Sequence, residues 1–235
     1  MRTMRKLATV ICLSIGVYTF GIRPRLLRWG ATDDEVTQPF PGADLIPAGL
    51  RSATMAVTID AAPSLVWPWL VQMGYDRAGW YSWDHLDNFG QPSATTIHPE
   101  WQNIRVGDYT DHMRSWQVAA LEPERFLALR ASRDLLTFRV FDPAGPRPRF
   151  YTDSTWSFLL KPLPAGRTRL IASGYWDLRP HWMQPFMQLL FLDLQHWIMQ
   201  TRQFANLKRL AEGAVKDTTD GVIVARPAPA ATGTD

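Results

Sequence analysis

Proton-exchanging side chains and aromatic rings crowd into one fourteen-residue run, Arg77–Gly90 (RAGWYSWDHLDNFG). Asp84 and His85 can each move a proton near neutral pH if their surroundings shift them, and Tyr81 can donate a phenolic hydrogen bond. Trp80, Tyr81, Trp83 and Phe89 add large apolar faces, three of them with a polar tip. This mixture suits the wall of a ligand cavity, with Asp84, His85 and Tyr81 as a polar cluster at its mouth. The same residues also describe a short helix docked on a core through Trp80, Trp83 and Leu86. In that reading Ser82 or Asp84 is the N-cap and Asp87 sits favourably near the positive helix end. The run alone leaves both readings open.

Other chemistry is sparse. The histidines are His85, His98, His112, His181 and His196, and no pair has the spacing of a metal-binding HExxH helix. Asp111-His112 reads as a solvated turn more readily than as an acid–base element. Glu100-Trp101, after Pro99, reads as a loop anchored by its indole or as part of a cavity wall. Tyr109, Tyr151 and Tyr175 offer hydroxyls either to a cavity or to the outside of a sheet. There is no phosphate-binding glycine loop, no nucleophile elbow and no defensible Ser/His/Asp set. The single cysteine, Cys12, rules out an intramolecular disulfide and a cysteine-based metal site. No catalytic residue, metal site or cofactor is therefore assigned.

The elements that would have to position these residues follow from composition and periodicity. The 235 residues are 46% hydrophobic and include 11 Trp, six of them between Trp67 and Trp116, enough for a large core. The net charge is +3, but Arg2, Arg5, Lys6, Arg23, Arg25 and Arg28 place +6 in the first 28 residues, leaving −3 for the rest. A mildly acidic body argues against a nucleic-acid partner. The basic residues bracket an uncharged 16-residue run, Leu7–Ile22. It reads as an uncleaved membrane anchor of undetermined orientation, with a signal peptide or a surface helix as alternatives. The division expected is an anchor over 1–28, an irregular lead-in over 29–50 with one helical turn at Asp33–Thr37, a folded domain over 51–214, and a disordered tail over 215–235.

Within the domain, Ala53–Ile59 alternates as a half-buried strand. Pro63 and Gly74 frame a helix despite Pro68, whose ring should kink it near Ser64. Strands are expected at Ser115–Glu122, Arg125–Ala131, Leu135–Phe141, Tyr151–Lys161 and Arg167–Trp176, separated by turn residues that imply antiparallel pairing. Along Tyr151–Lys161 one face passes from Thr152 and Ser154 to Trp156, Phe158 and Leu160, a change of polarity that a cavity-lining strand would use. A long helix, roughly Pro180–Ala214, closes the chain, with Leu190, Leu194, Trp197, Phe204 and Leu207 on its apolar face. From Phe186 to Met199 it is apolar almost all round.

This order, together with Thr58-Ile59-Asp60-Ala61-Ala62-Pro63, Val66-Trp67-Pro68-Trp69-Leu70-Val71-Gln72-Met73-Gly74, Arg77–Gly90, Ile97-His98-Pro99-Glu100-Trp101-Gln102 and Val106-Gly107-Asp108, resembles the SRPBCC superfamily of START-like and polyketide cyclase/dehydrase-like proteins, in an uncharacterised bacterial branch. The resemblance spans about residues 29–212. It implies an α+β helix-grip fold: a curved antiparallel sheet wrapped around the long C-terminal helix, with an apolar cavity between them and, in this chain, a hydrophobic N-terminal helix in addition. It implies binding of a hydrophobic small molecule or lipid, and the anchor read from residues 7–22 would place that binding at a membrane. The alternatives are a cyclase/dehydratase-type enzyme acting on a polyketide-like substrate through Asp84, His85 or Tyr81, and a membrane-associated interaction module. The ligand-binding residues expected are Trp80, Tyr81, Trp83, Asp84, Trp101, Trp156, Tyr175, Leu190 and Leu194. No catalytic set of the family carries over residue by residue.

Overall fold

The computed structural model describes residues 2–219. Helix α1 (Arg2–Gly16) runs through a π-helical turn (Val17–Ile22) into α2 (Arg23–Leu26). Among the described residues no helix is long and apolar enough to cross a membrane, which overturns the single N-terminal span expected of residues 7–22 and the membrane localisation built on it. The physical reason is length. Sixteen uncharged residues rise only about 24 Å in a helix, against about 30 Å of hydrocarbon.

The expected turn in the lead-in is helix α3 (Asp33–Thr37). It begins with a reciprocal capping box, in which Thr32 accepts from the Glu35 backbone and Glu35 from the Thr32 backbone. Two salient contacts hold the lead-in against the sheet. Arg169 pairs with Glu35 at 2.8 Å, and Arg51 donates to the carbonyls of Glu35, Val36 and Gln38. Burial pushes the Glu35 carboxyl up, but Arg169 and the Thr32 backbone outweigh it and leave the group below the ordinary carboxylate range.

The sheet has seven strands, β1 (Leu50–Arg51), β2 (Met55–Ile59), β3 (Gln117–Glu122), β4 (Phe126–Asp134), β5 (Tyr151–Leu163), β6 (Arg167–Ser173) and β7 (Tyr175–Arg179), all paired antiparallel. The long strand β5 pairs with β7 through its first half and with β6 through its second, so β6 and β7 are one strand bent at Gly174. A Cβ at Gly174 would lie 2.0 Å from the Thr155 carbonyl oxygen, so the close approach of β5 at the bend admits only glycine. Leu135–Phe141, expected as a strand, is instead a tight turn pinned by Asp134, whose carboxylate accepts from the Leu136 and Thr137 backbones.

The concave face holds the main core. Helix α4 (Pro63–Val71) packs there through Val66, Trp69 and Leu70, and runs past Pro68 unbroken. After the short helices α5 (Asp84–Asp87) and α6 (Met183–Met187) and a π-helical turn (Gln188–Leu192), α7 (Asp193–Thr219) crosses the sheet. Phe204, Leu207 and Ala211 of α7 are fully buried against Met55, Ile59, Leu129, Phe158 and Leu170. The convex face is covered by the lead-in, where Phe40 and Ile46 meet Ala56, Phe126, Ile171 and Tyr175. The tail expected over 215–235 begins inside α7, which continues to Thr219; from residue 220 it lies outside the described residues.

Candidate functional site

The C-terminal half of α7 fills the grip, and its N-terminal half leaves a cavity of about 490 Å³ between helix and sheet. Three sets of residues build it. The bend at Gly174 gathers hydroxyls on the sheet side: Ser52, Ser154, Thr155 and Ser173. There Thr54 and Ser173 hydroxyls meet at 3.0 Å, and the Thr155 hydroxyl accepts from the Tyr175 backbone. The second set is aromatic. Tyr75, Trp80, Trp156 and Trp116 follow one another with ring centroids 5.5, 5.6 and 5.7 Å apart, and Trp176 lies beyond them, its indole donating to Thr152. The third set comes from α7: Asp193, His196, Gln200 and Gln203.

A relay of hydrogen bonds fixes the second set to the third. The Trp156 indole donates to Gln200, Gln200 donates to Gln203, and Gln203 donates to the Trp80 carbonyl at 3.0, 2.7 and 2.8 Å. Both glutamine amides of this relay find partners, so the wall is rigid where it is most polar. At the rim, Arg23 pairs with Asp193 and Leu27 adds an apolar edge.

A carboxyl and an imidazole in the cavity lack such partners. Asp87 is 7% exposed, and neither of its carboxylate oxygens accepts a hydrogen bond. Burial pushes its carboxyl up to about 6; the neighbouring Ser82 hydroxyl pulls the other way, and Asp84 adds a like charge. The Ser82 proton itself goes to the Met199 carbonyl at 3.1 Å. His196 is buried among protein atoms except on the side that opens to the cavity, and burial pushes its imidazole down to about 4, so it is neutral at pH 7. Among the described residues no group of three or more histidine, cysteine, aspartate or glutamate side chains is arranged to hold a metal ion.

Of the residues expected to bind a ligand, Trp80 and Trp156 line this cavity. Tyr81 does not. It sits at a positive φ of 59°, which turns the chain so that Trp80 and Ser82 face the cavity and Tyr81 faces the core. Its ring packs edge-on to Trp69 and its hydroxyl accepts from Gln72 at 2.6 Å; burial raises its pKa. That strained turn is secured by Ser93, which accepts from the Tyr81 backbone N–H, and by Asn206, which donates to its carbonyl. Trp83 is 45% exposed with the Arg202 guanidinium 4.9 Å over its ring, outside the cavity. Asp84 accepts from both the backbone and the hydroxyl of Ser93, a loop clamp, and His85 is exposed. Trp101 stacks on His98 at 4.3 Å, away from the cavity, while its carbonyl accepts from Arg77. Tyr175 points to the convex face and donates to the Phe40 carbonyl. Leu194 is 44% exposed on the outer side of α7, and the side chain of Leu190 lies outside the described residues.

Sequence reasoning assigns no ligand-binding or acid–base role to Asp87, His196, Gln200, Gln203, Tyr75, Trp116 or Trp176. A signal for the helix residues exists. Asp193, His196, Gln200 and Gln203 recur at three- and four-residue intervals and continue into Phe204, Leu207 and Ala211, so they share a face with the core. A polar stripe in register with an apolar one marks a helix that passes from a cavity into a core.

No family model and no curated protein matches the chain. Solved structures do. A protein from Mesorhizobium loti is similar at 18% identity over 68% of this chain and 97% of its own, with a TM-score of 0.36. The Zhui aromatase/cyclase from Streptomyces sp. R1128 is similar at 16% identity over 74% of this chain and 99% of its own, TM-score 0.29. A Polyketide_cyc-like protein from Corynebacterium glutamicum is similar at 18% identity over 74% and 94%, TM-score 0.27. The antiparallel order of the strands, the bend at Gly174 and the seat of α7 in the concave face make this chain's own fold an α+β one, a curved sheet gripping its long C-terminal helix.

Proposed function

We propose that the protein binds a hydrophobic small molecule in the cavity between the bent sheet and the N-terminal half of α7. The observation that carries this reading is the cavity itself: about 490 Å³, within the range that holds a drug-sized molecule, walled by four tryptophans and Tyr75 and crossed by a few fixed polar groups. An interaction module built on an all-round apolar helix would instead need a filled interior. The reading predicts saturable binding of an apolar fluorescent dye, with displacement by medium-chain amphiphiles. Ser154 faces the cavity from β5, so Ser154→Phe fills part of it without touching the relay from Trp156 to Trp80. That variant should fold and lose the dye. Equal binding by both proteins would place the dye elsewhere and refute the reading.

A second reading, a cyclase- or dehydratase-type enzyme, has one specific observation in its favour. Two groups with opposed shifts, a carboxyl held near neutrality and an imidazole held neutral, line the same cavity, as proton-transfer partners do. Its acid–base residues would be Asp87 and His196, not Asp84, His85 or Tyr81, none of which lines the cavity. Absence of turnover on polyketide-like substrates would remove this reading, and turnover that survives Asp87→Asn and His196→Gln together would remove these two residues from it.

A further inference from the structure

Besides Asp87 and the phenol of Tyr75, the cavity contains four charged or chargeable groups, Arg23, Arg51, Asp193 and His196. Asp193 is neutralised by Arg23. Arg51 spends its guanidinium on the carbonyls of Glu35, Val36 and Gln38 and on the Ser173 hydroxyl, and stacks 5.4 Å over the Phe40 ring on the convex side. His196 is neutral. Asp87 is left with a carboxylate more than nine-tenths buried, lining the cavity, with no hydrogen bond to either oxygen and no cation within salt-bridge distance among the described residues. An unpaired buried carboxylate is costly unless something completes it.

Its surroundings indicate what that is. Asp87 lies close enough to Tyr75 to raise the phenol's pKa, after burial itself, and Tyr75 opens the aromatic series that continues through Trp80, Trp156 and Trp116. Aromatic faces attract cations and do nothing for anions. A carboxylate beside such a series has the composition of a cation-binding pocket.

Resting on the binding function above, we infer that the ligand is a hydrophobic cation: an apolar body in the cavity with an ammonium-type nitrogen against Asp87 and the aromatic wall of Tyr75, Trp80 and Trp156. The acceptor-only carboxylate takes the N–H donors or the charge, the rings take the cation's flank, and the hydroxyl-rich bend at Gly174 lies along the other side of the cavity. An anionic amphiphile such as a fatty acid would face Asp87 with a like charge and is disfavoured.

The test compares ten-carbon probes that differ only in head group: decylamine, decanol and decanoate, titrated by calorimetry against the full chain below their micelle concentrations. At about pH 8 decylammonium should bind at least about tenfold more tightly than decanol, the minimum expected of one charge-assisted hydrogen bond, and decanoate more weakly than either. In Asp87→Asn the amine and the alcohol should differ by no more than about twofold. In the unaltered protein the amine's advantage should vanish as the pH falls from about 8 to about 5. The carboxyl of Asp87 gains a proton across that interval while an alkylammonium, with a pKa near that of lysine at about 10, stays charged. Of the other groups in the cavity, Tyr75 does not ionise there, Asp84 clamps Ser93, His196 gains its proton only toward pH 4, and Asp193, pushed up by burial, is paired with Arg23 and is separated from Asp87 by running the same pH series on Asp87→Asn. Amine and alcohol binding equally at every pH, or the preference persisting in Asp87→Asn, overturns the inference while leaving the cavity reading intact. If no probe binds, the binding function itself fails and takes the inference with it. Should Asp87→Asn not fold, the pH series in the unaltered protein still decides.

Discussion

Asp87 and His196 look into the same cavity and respond to burial in opposite senses, which makes the pH dependence of stability a sensitive readout of both. The folded carboxyl of Asp87 holds its proton up to about 6 against 3.8 as a model group, so the cost of burying its charge is relieved, and the folded state gains stability, as the pH falls from about 6 to about 4. The folded imidazole of His196 refuses its proton until about 4 against 6.5, so its burial disfavours the folded state increasingly as the pH falls from about 6.5 to about 4. Each effect is on the order of 2 kcal/mol, and they oppose each other over the same interval. The unaltered protein should therefore melt at nearly constant temperature between about pH 6.5 and pH 4. Asp87→Asn should leave only the imidazole, and its melting temperature should fall across that range; His196→Gln should leave only the carboxyl, and its melting temperature should rise. Parallel curves for all three would show that neither group is buried as described. At this scale the sequence was half legible. Trp80 and Trp156 were readable because large aromatics at alternating or helix-flanking positions have few other uses. Asp87 was explained away as a helix-start residue, but it is the last residue of α5, where that charge gains nothing from the helix.

Elements were easier to find than to orient. The strands around β5 and the Ala-Pro helix α4 lie close to where alternation and turn chemistry place them, because their inner faces are apolar. Helix α7 shows the limit of that rule. Counting apolar residues selects a face containing Leu194 and Ile198, which are exposed, whereas the buried face carries Asp193, Gln200 and Gln203. Where a helix borders a cavity its inner side is polar, and hydrophobic periodicity reports the wrong direction. Tyr175 fails for a related reason. Leu170 and Ala172 face inward, so two-residue alternation carried through the bend puts Trp176 inside and Tyr175 outside. The bend at Gly174 is the element-scale device that opens the cavity. Gly174→Ala would drive a Cβ into the Thr155 carbonyl, and the strand would have to flatten or shift. We expect a loss of at least about 2 kcal/mol in denaturant unfolding together with weakened dye binding. A neutral substitution would mean that the bend does not depend on that close approach.

Across the whole molecule, the bent sheet is sandwiched between two different covers. The concave side takes α4 and α7, and the convex side takes the lead-in, tied down through Glu35–Arg169 and through Arg51. This double cover was not legible in the sequence, since Pro- and Gly-rich segments carry no periodicity. Its consequence for function is positional. By crossing from the convex face to the rim, where Thr54 and Ala56 donate to the carbonyls of Leu27 and Trp29, the chain brings Arg23 and Leu27 to the cavity edge. The uncharged run Leu7–Ile22 is thus continuous with the rim of the cavity. The central claim, that the space between sheet and α7 is a ligand site, is tested most directly by a crystal structure of the protein grown with saturating decylamine. The account predicts continuous density for one probe molecule bounded by Trp80, Trp156, His196 and Gln200, with its nitrogen within hydrogen-bond distance of Asp87. A cavity filled only by water at saturating probe, or the probe bound on the outer surface, would contradict it.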